Sequence, residues 1–317
     1  MTEFEDPVIT IVRLLQKNMR VVEDDGSLAS IHISREWYDR ELLKNYDGQV
    51  TVGLAHSEDR KLSIAGKLRR RECFLNVNAW TMDLTRRQRM REEINRVIRE
   101  NRNKPYETQY DFVGVGPPTG TQKAYHAGSA TELAPKDAGW TELTSDEYQK
   151  IWYSDDDRYS KIHTVNNEYA LMIMRFKIAS REQTVKKIVL RVEGYGTAPG
   201  GNGVTVKAWN FETSAWEQAQ AGTGGADEWI SITLTSSITD FIDSNGYVYL
   251  LARTTDPSDG TTAAVIYCDY ADCIVTVNGI TYVDVASYRD ADKVDVKPFI
   301  FRTEFVLKSW VFETIPF

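Results

Sequence analysis

Between Ala170 and Val277 the chain repeats one short pattern, and that pattern limits its architecture more than any other feature. Apolar and polar residues alternate over Ala170–Ile178, Val185–Val192, Val204–Trp209, Trp229–Leu234, Tyr247–Arg253, Ala263–Tyr267 and Cys273–Val277, with Gly, Asn, Asp and Ser between the runs. Alternation with period two marks half-buried strands, and many short strands joined by turns predict an antiparallel β-sandwich. The reading gives this sandwich residues 140–280.

The flanks follow a different grammar. Asp6 can cap a helix that places Pro7 at its first position and Val8, Ile11, Val12 and Leu15 on one stripe. "SIHIS", "QVTVGL" and "CFLNVNAW" alternate as strands, and a second helix begins near Asp83, buries Met90, Ile94, Val97 and Ile98, and ends before Pro105. "GVGPPTGTQ" opens a linker over 117–139. The tail, "KPFIFRTEFVLKSWVFETI", alternates with a charge density closer to the first block than to the sandwich. The prediction is a discontinuous α+β domain, two helices on a mixed or antiparallel sheet, formed by 1–116 and 281–317 and interrupted by the sandwich. Insertion at a surface loop is cheap because domain termini commonly lie close together.

A net charge of −8 argues against general adhesion to nucleic acid or membrane, yet 58–104 holds fourteen Lys/Arg against seven Asp/Glu. Three cysteines cannot form a disulfide framework. An extended path would set Cys268 and Cys273 about 16 Å apart, beyond the roughly 7 Å a bridge spans, so free thiols and a reducing cytoplasm are expected. With no apolar run near 18 residues and no leader-like start, a soluble chain without a secretion signal is expected.

"DPVITIVRLLQKN", "HISREWYD", the strand leading to "NVNAW", "RRQRMREEINRVIRENR" and "FRTEFVLKSWVFE" together resemble the tail-completion, or neck, proteins of tailed viruses. The resemblance implies a virion protein assembled in the host cytoplasm. It implies a homo-oligomeric ring of six copies, with head-connector and tail-tube proteins as partners and DNA passing through the channel. "RFKI", "VLRVEGY", "VTVKAWNFETSAWE" and "NGYVYLLART" resemble galactose-binding-like jelly rolls. That likeness implies an outward-projecting module for decoration or for binding surface glycans, and admits a structural calcium as the one cofactor. A carbohydrate-binding adhesin is the alternative function.

Four groups of residues are candidate sites. Arg69, Arg70 and Arg71 in "KLRRRE" and Arg86, Arg87, Arg89 and Arg91 in "RRQRMR" could contact a neighbouring subunit, the connector or DNA. Basic residues in a first helical turn oppose its dipole, but they could equally pair with Glu92, Glu93 and Glu100 along the helix. By strand parity Trp209 and Trp229 face away from the core and form a candidate glycan platform, with inter-domain or subunit packing as the other reading of Trp209. Trp216 is expected to close a hairpin by packing. Asp155, Asp156 and Asp157 in "YSDDDRY" offer oxygens to a calcium ion or form a solvated acidic turn. No catalytic role is expected: His32, His56, His126 and His163 lack metal-ligand spacing, and "GYGTAPGGNG" joins two strands without opening a helix.

Overall fold

The computed structural model describes residues 3–35, 37–62, 68–117, 120–292 and 297–314. Lys67 of the basic strand and Pro118 of the expected linker lie outside the described residues. The chain divides into two compact units, one made of Phe4–Tyr106 with the chain from Asn278 onward, the other of Glu107–Val277 with the first residues. Strands are numbered β1 to β17 and α-helices α1 to α3 along the chain.

In the α+β unit, α1 (Pro7–Asn18) and α2 (Leu84–Glu100) pack on a sheet of β1 (Ile31–Ser34), β2 (Gly48–Lys61), β3 (Leu68–Thr81), β16 (Tyr282–Asp290) and β17 (Phe301–Thr314). The order is β1-β2-β3-β17-β16, with β1 parallel to β2 and the other pairs antiparallel. The Asp6 carboxylate accepts from the Val8 amide at 2.8 Å and that of Asp83 from the Arg86 amide at 2.6 Å, so each helix starts at a capped end. Ile11, Leu15, Met90, Ile94, Val97 and Ile98 are buried against Val77, Phe305 and Leu307 of the sheet. Burial of such side chains, about 1.5–3 kcal/mol each, is what holds the helices down.

Strands β2 and β3 run well past this core: from Gly53 to Lys61 every residue of β2 is exposed. Here charge replaces apolar burial. Glu72 is fully buried, takes an ion pair from Arg70, and has Lys308 at 3.1 Å and Arg60 at 3.7 Å. Burial pushes its carboxyl up, but the hydrogen bond from Lys308 and the charges of Arg60 and Arg70 outweigh this and hold it below the usual carboxylate range.

The other unit is a sandwich of two antiparallel sheets. One contains β4 (Glu107–Tyr110), β7 (Tyr159–His163), β9 (Val185–Ala198), β10 (Gly201–Asn202), β13 (Glu228–Leu234) and β15 (Ala264–Val277), with β13 paired to β9 and β7 to β15. The second runs β12 (Ala215–Ala221), β11 (Val204–Asn210), β14 (Tyr247–Thr254), β8 (Tyr169–Lys177), β5 (Lys123–Ser129) and β6 (Thr141–Glu142). Helix α3 (Ser145–Gln149) begins with a capping box between Thr144 and Glu147. Val204, Val206 and Ala208 face Ile188, Leu190, Val192, Ile230 and Ile232 in the interior as alternating buried positions.

Three expectations are corrected here. The α+β block was expected to reach 116, but Glu107–Tyr110 pairs with Thr276–Cys273 as a sandwich strand. The expected linker, 117–139, instead supplies β5, whose pairing with β8 runs from Lys123↔Arg175 to Ser129↔Tyr169. The expected separate strands Ala263–Tyr267 and Cys273–Val277 are one strand with a register shift between Cys268 and Tyr270. That shift is a β-bulge, and it leaves Asp269 as the extra residue. Cys268 and Cys273 are buried thiols of this same strand. Among the described residues no helix is long and apolar enough to cross a membrane.

Candidate functional site

The basic helix is already matched with carboxylates. Arg86 Nε donates to Glu23 Oε1 at 2.6 Å, with Asp47 at 3.6 Å; Arg87 holds Asp292 at 2.6 Å and Asp290 at 3.3 Å. Arg89 pairs with Asp24 and with Glu23 at 3.2 Å, and Arg91 with Asp290 at 3.2 Å. None of the four relies on Glu92, Glu93 or Glu100; those acids occur in α2 itself, where Arg96 takes Glu93 and Glu100. The charges that a phosphate or an acidic neighbour would need are engaged inside the unit. On the extended hairpin, Arg71 pairs with Asp59 at 2.9 Å and Arg70 with Glu72, while Arg69 lies opposite Lys61.

Trp209 and Trp229 do not form one platform. They stand on the outer faces of different sheets, because the buried parity of β11 is Val204, Val206, Ala208 and that of β13 is Ile230, Ile232, Leu234. Trp209 is half-buried and meets Trp216 edge to face at 5.1 Å. Trp216 is packing: its indole donates to the Leu133 carbonyl at 2.9 Å and its ring covers Ala127, Leu171 and Leu251 together with Leu133 and Trp140. The segment that carries Leu133 and Trp140 is therefore a strap over this sheet. Glu132 anchors it through Lys207 at 2.8 Å and Arg253 at 2.7 Å.

The opposite outer face is open. Trp229 is 47% exposed and lies edge-on to Tyr270, 5.9 Å between centroids. The two reach each other across β9, where Glu193 is the register partner of both. The Arg191 guanidinium sits 4.8 Å from the Trp229 ring centre and is fixed by Asp272, at 2.8 Å from Nε to Oδ1. Gln109 donates to the Tyr270 hydroxyl at 3.0 Å and to Asp272 Oδ2 at 2.6 Å. Burial, then the charges of Asp111 and Asp272, pushes the Tyr270 phenol well up, so it stays a neutral hydroxyl. Further along the same face Tyr195 and Tyr267 stack at 4.5 Å. The result is a ledge of aromatic rings edged with ordered hydrogen-bonding groups.

Beside the ledge, the acidic turn behaves differently from expectation. Asp157 pairs with Lys150 at 2.6 Å, and Asp155 accepts from the Asp157 amide at 3.1 Å. Only Asp156, in a left-handed conformation (φ 69°), joins a carboxylate group, and its companions are Asp227 and Asp269. One oxygen from each of the three lies within 4.8 Å of the others. Asp269 is put there by the bulge. Gly194 permits the close approach, since a Cβ on it would fall 2.1 Å from the Tyr267 carbonyl oxygen. Spacing in the sequence could not show this group, because its members are far apart along the chain.

A family model described as "Uncharacterized protein, C-terminal domain" matches residues 120–277, nearly the whole sandwich. No curated protein matches the chain. Among solved structures, the chain is similar to the CBM22-1 xylan-binding domain of Xyn10C from Paenibacillus barcinonensis, at 8% identity, covering 39% of this chain and 84% of that one with a TM-score of 0.21. It is also similar to the family 11 carbohydrate-binding module from Clostridium thermocellum in complex with a β-1,3-1,4-mixed-linked tetrasaccharide, at 6% identity, covering 54% and 89% with a TM-score of 0.21. The fold of this chain is mostly β-sheet.

Proposed function

We propose that the sandwich unit binds carbohydrate on the outer face of β13, β9 and β15. The observation that carries this reading is Trp229, a large indole left 47% exposed beside Tyr270 and bordered by Arg191, Asp272 and Gln109, which are held in place by one another. An aromatic face takes the apolar side of a sugar ring, and fixed polar groups at its rim take hydroxyls; exposed aromatic ledges mark interaction sites. The role is binding, with no turnover assigned. The test is affinity electrophoresis of the full chain through a panel of polysaccharides such as xylan, β-glucans and microbial surface glycans. Retardation by at least one is expected, and migration unchanged by every member of a broad panel would count against the reading.

A second reading concerns the α+β unit, which we infer to be an assembly subunit of the neck type that its sequence resembles. The supporting observation is its sheet edges: among the described residues no strand pairs with the outer side of β16 or of β1. Unpaired edges are templates for strand addition by another copy, and a head-to-tail contact of this kind closes into a ring when the rotation allows. Negative-stain images and light scattering of the purified chain test this, with closed rings expected and a monomer at every concentration contradicting it.

A further inference from the structure

The carboxylates of Asp156, Asp227 and Asp269 are under-compensated. Asp156 and Asp227 share the guanidinium of Arg158, at 2.8 Å and 2.6 Å. Asp269 is 1% exposed; its carboxylate accepts from the Asp156 backbone amide, but among the described residues its Oδ1 has no hydrogen-bond partner, and the same holds for the buried Oδ1 of Asp227 and the buried Oε2 of Glu193. Glu193 and Asp155 are close enough for their charges to act on Asp269. Five carboxylates thus lie around one guanidinium. A buried carboxylate oxygen without a donor loses its hydration uncompensated, and three in one place call for a positive partner.

We infer that Asp156, Asp227 and Asp269 hold a hard divalent cation of calcium type. The distances suit it. Calcium binds oxygens at about 2.4 Å, so two ligand oxygens on opposite sides of one ion are about 4.8 Å apart, and the three carboxylate oxygens here fall within that limit of one another. All ligands are oxygens, which favours calcium over softer metals. The three come from separate parts of the chain: the turn before β7, the turn entering β13 and the bulge of β15. Such a cation would tie these together next to the strand that carries Trp229. The site does not depend on the carbohydrate reading.

The experiment is thermal unfolding of the full chain after chelation, with calcium chloride added back up to about 10 mM, about tenfold above the range of weak sites. The wild type is expected to show a saturable rise of about 4 °C or more, and Asp269→Asn to lose that rise while melting at a temperature close to the calcium-free wild type. A wild type indifferent to calcium would overturn the inference. So would an equal rise in wild type and Asp269→Asn, which would mean nonspecific binding, or stabilisation by mild acid alone with no effect of calcium, which would mean that the carboxylates share a proton instead.

Discussion

Trp229 and Tyr270 meet edge to face at 5.9 Å although each of their strands pairs with β9 and not with the other, because Glu193 on the strand between them is in register with both. The ledge is therefore a property of three strands in fixed register, and slippage of any one would dissolve it.

Asp272 is the key to the ledge's polar rim, because it is fully buried and holds both Arg191 and Gln109. Asp272→Asn removes the charge under Arg191, which is 31% exposed and so partly screened. A loss of about 2 kcal/mol is expected, below the 3–5 kcal/mol of a fully buried pair. Urea unfolding measures it, and glycan affinity should fall with it.

Arg86→Glu combined with Arg89→Glu would place two acids against Glu23, the partner of both arginines. The expected effect is on stability, about 1–3 kcal/mol from lost pairs and new repulsion. Adding Glu23→Lys should restore much of the loss. Chemical denaturation of the wild type and these two variants checks this; loss of assembly with unchanged stability would instead identify a partner surface.

Glu72 gives the α+β unit a pH dependence of definite sign. Its folded carboxyl titrates below its ordinary value near 4.5, so it stabilises fully above that value, and the contribution fades as pH falls through the lower folded value. Glu72→Gln should cost about 1–2 kcal/mol at neutral pH, discounted because its cationic partners are partly exposed, and should flatten the acid limb of stability. Unfolding free energies across the range from about pH 6 to pH 3 test both statements.

The strap over β11 and β14 depends on Trp216 and Glu132. Trp216→Phe keeps most of the ring packing but removes the hydrogen bond to Leu133, at a cost of about 1 kcal/mol. Glu132→Ala frees Lys207 and Arg253. Limited proteolysis should cut between Ser129 and Thr141 faster in either variant, and fastest in the double variant.

Local pattern carried a good deal of this fold. The two capped helices and the parity of Val204, Val206 and Ala208 are short-range facts, visible in spacing alone. What could not be read depends on distance. The partners of Arg87 are Asp290 and Asp292, some two hundred positions away, whereas helical spacing points only to neighbours three or four residues off. Asp269 breaks the alternation of its strand because it occupies a bulge, so one strand looked like two. The strap looked like a linker because Leu133 and Trp140 are isolated apolar residues in a polar stretch, and their value lies in Ala127, Leu171 and Leu251 beneath them. For the same reason parity gave Trp209 and Trp229 outward positions but could not say that they point from opposite faces.

That opposition supplies the most direct test. For a glycan retained by the wild-type chain, dissociation constants are measured for Trp229→Ala and Trp209→Ala, each checked for folding by circular dichroism. Loss of the anchoring indole in Trp229→Ala should weaken binding by roughly thirtyfold, about 2 kcal/mol, while Trp209→Ala should bind within about twofold of wild type, since its ring is packed on Trp216. Loss of binding in Trp209→Ala with full affinity retained in Trp229→Ala would contradict the account.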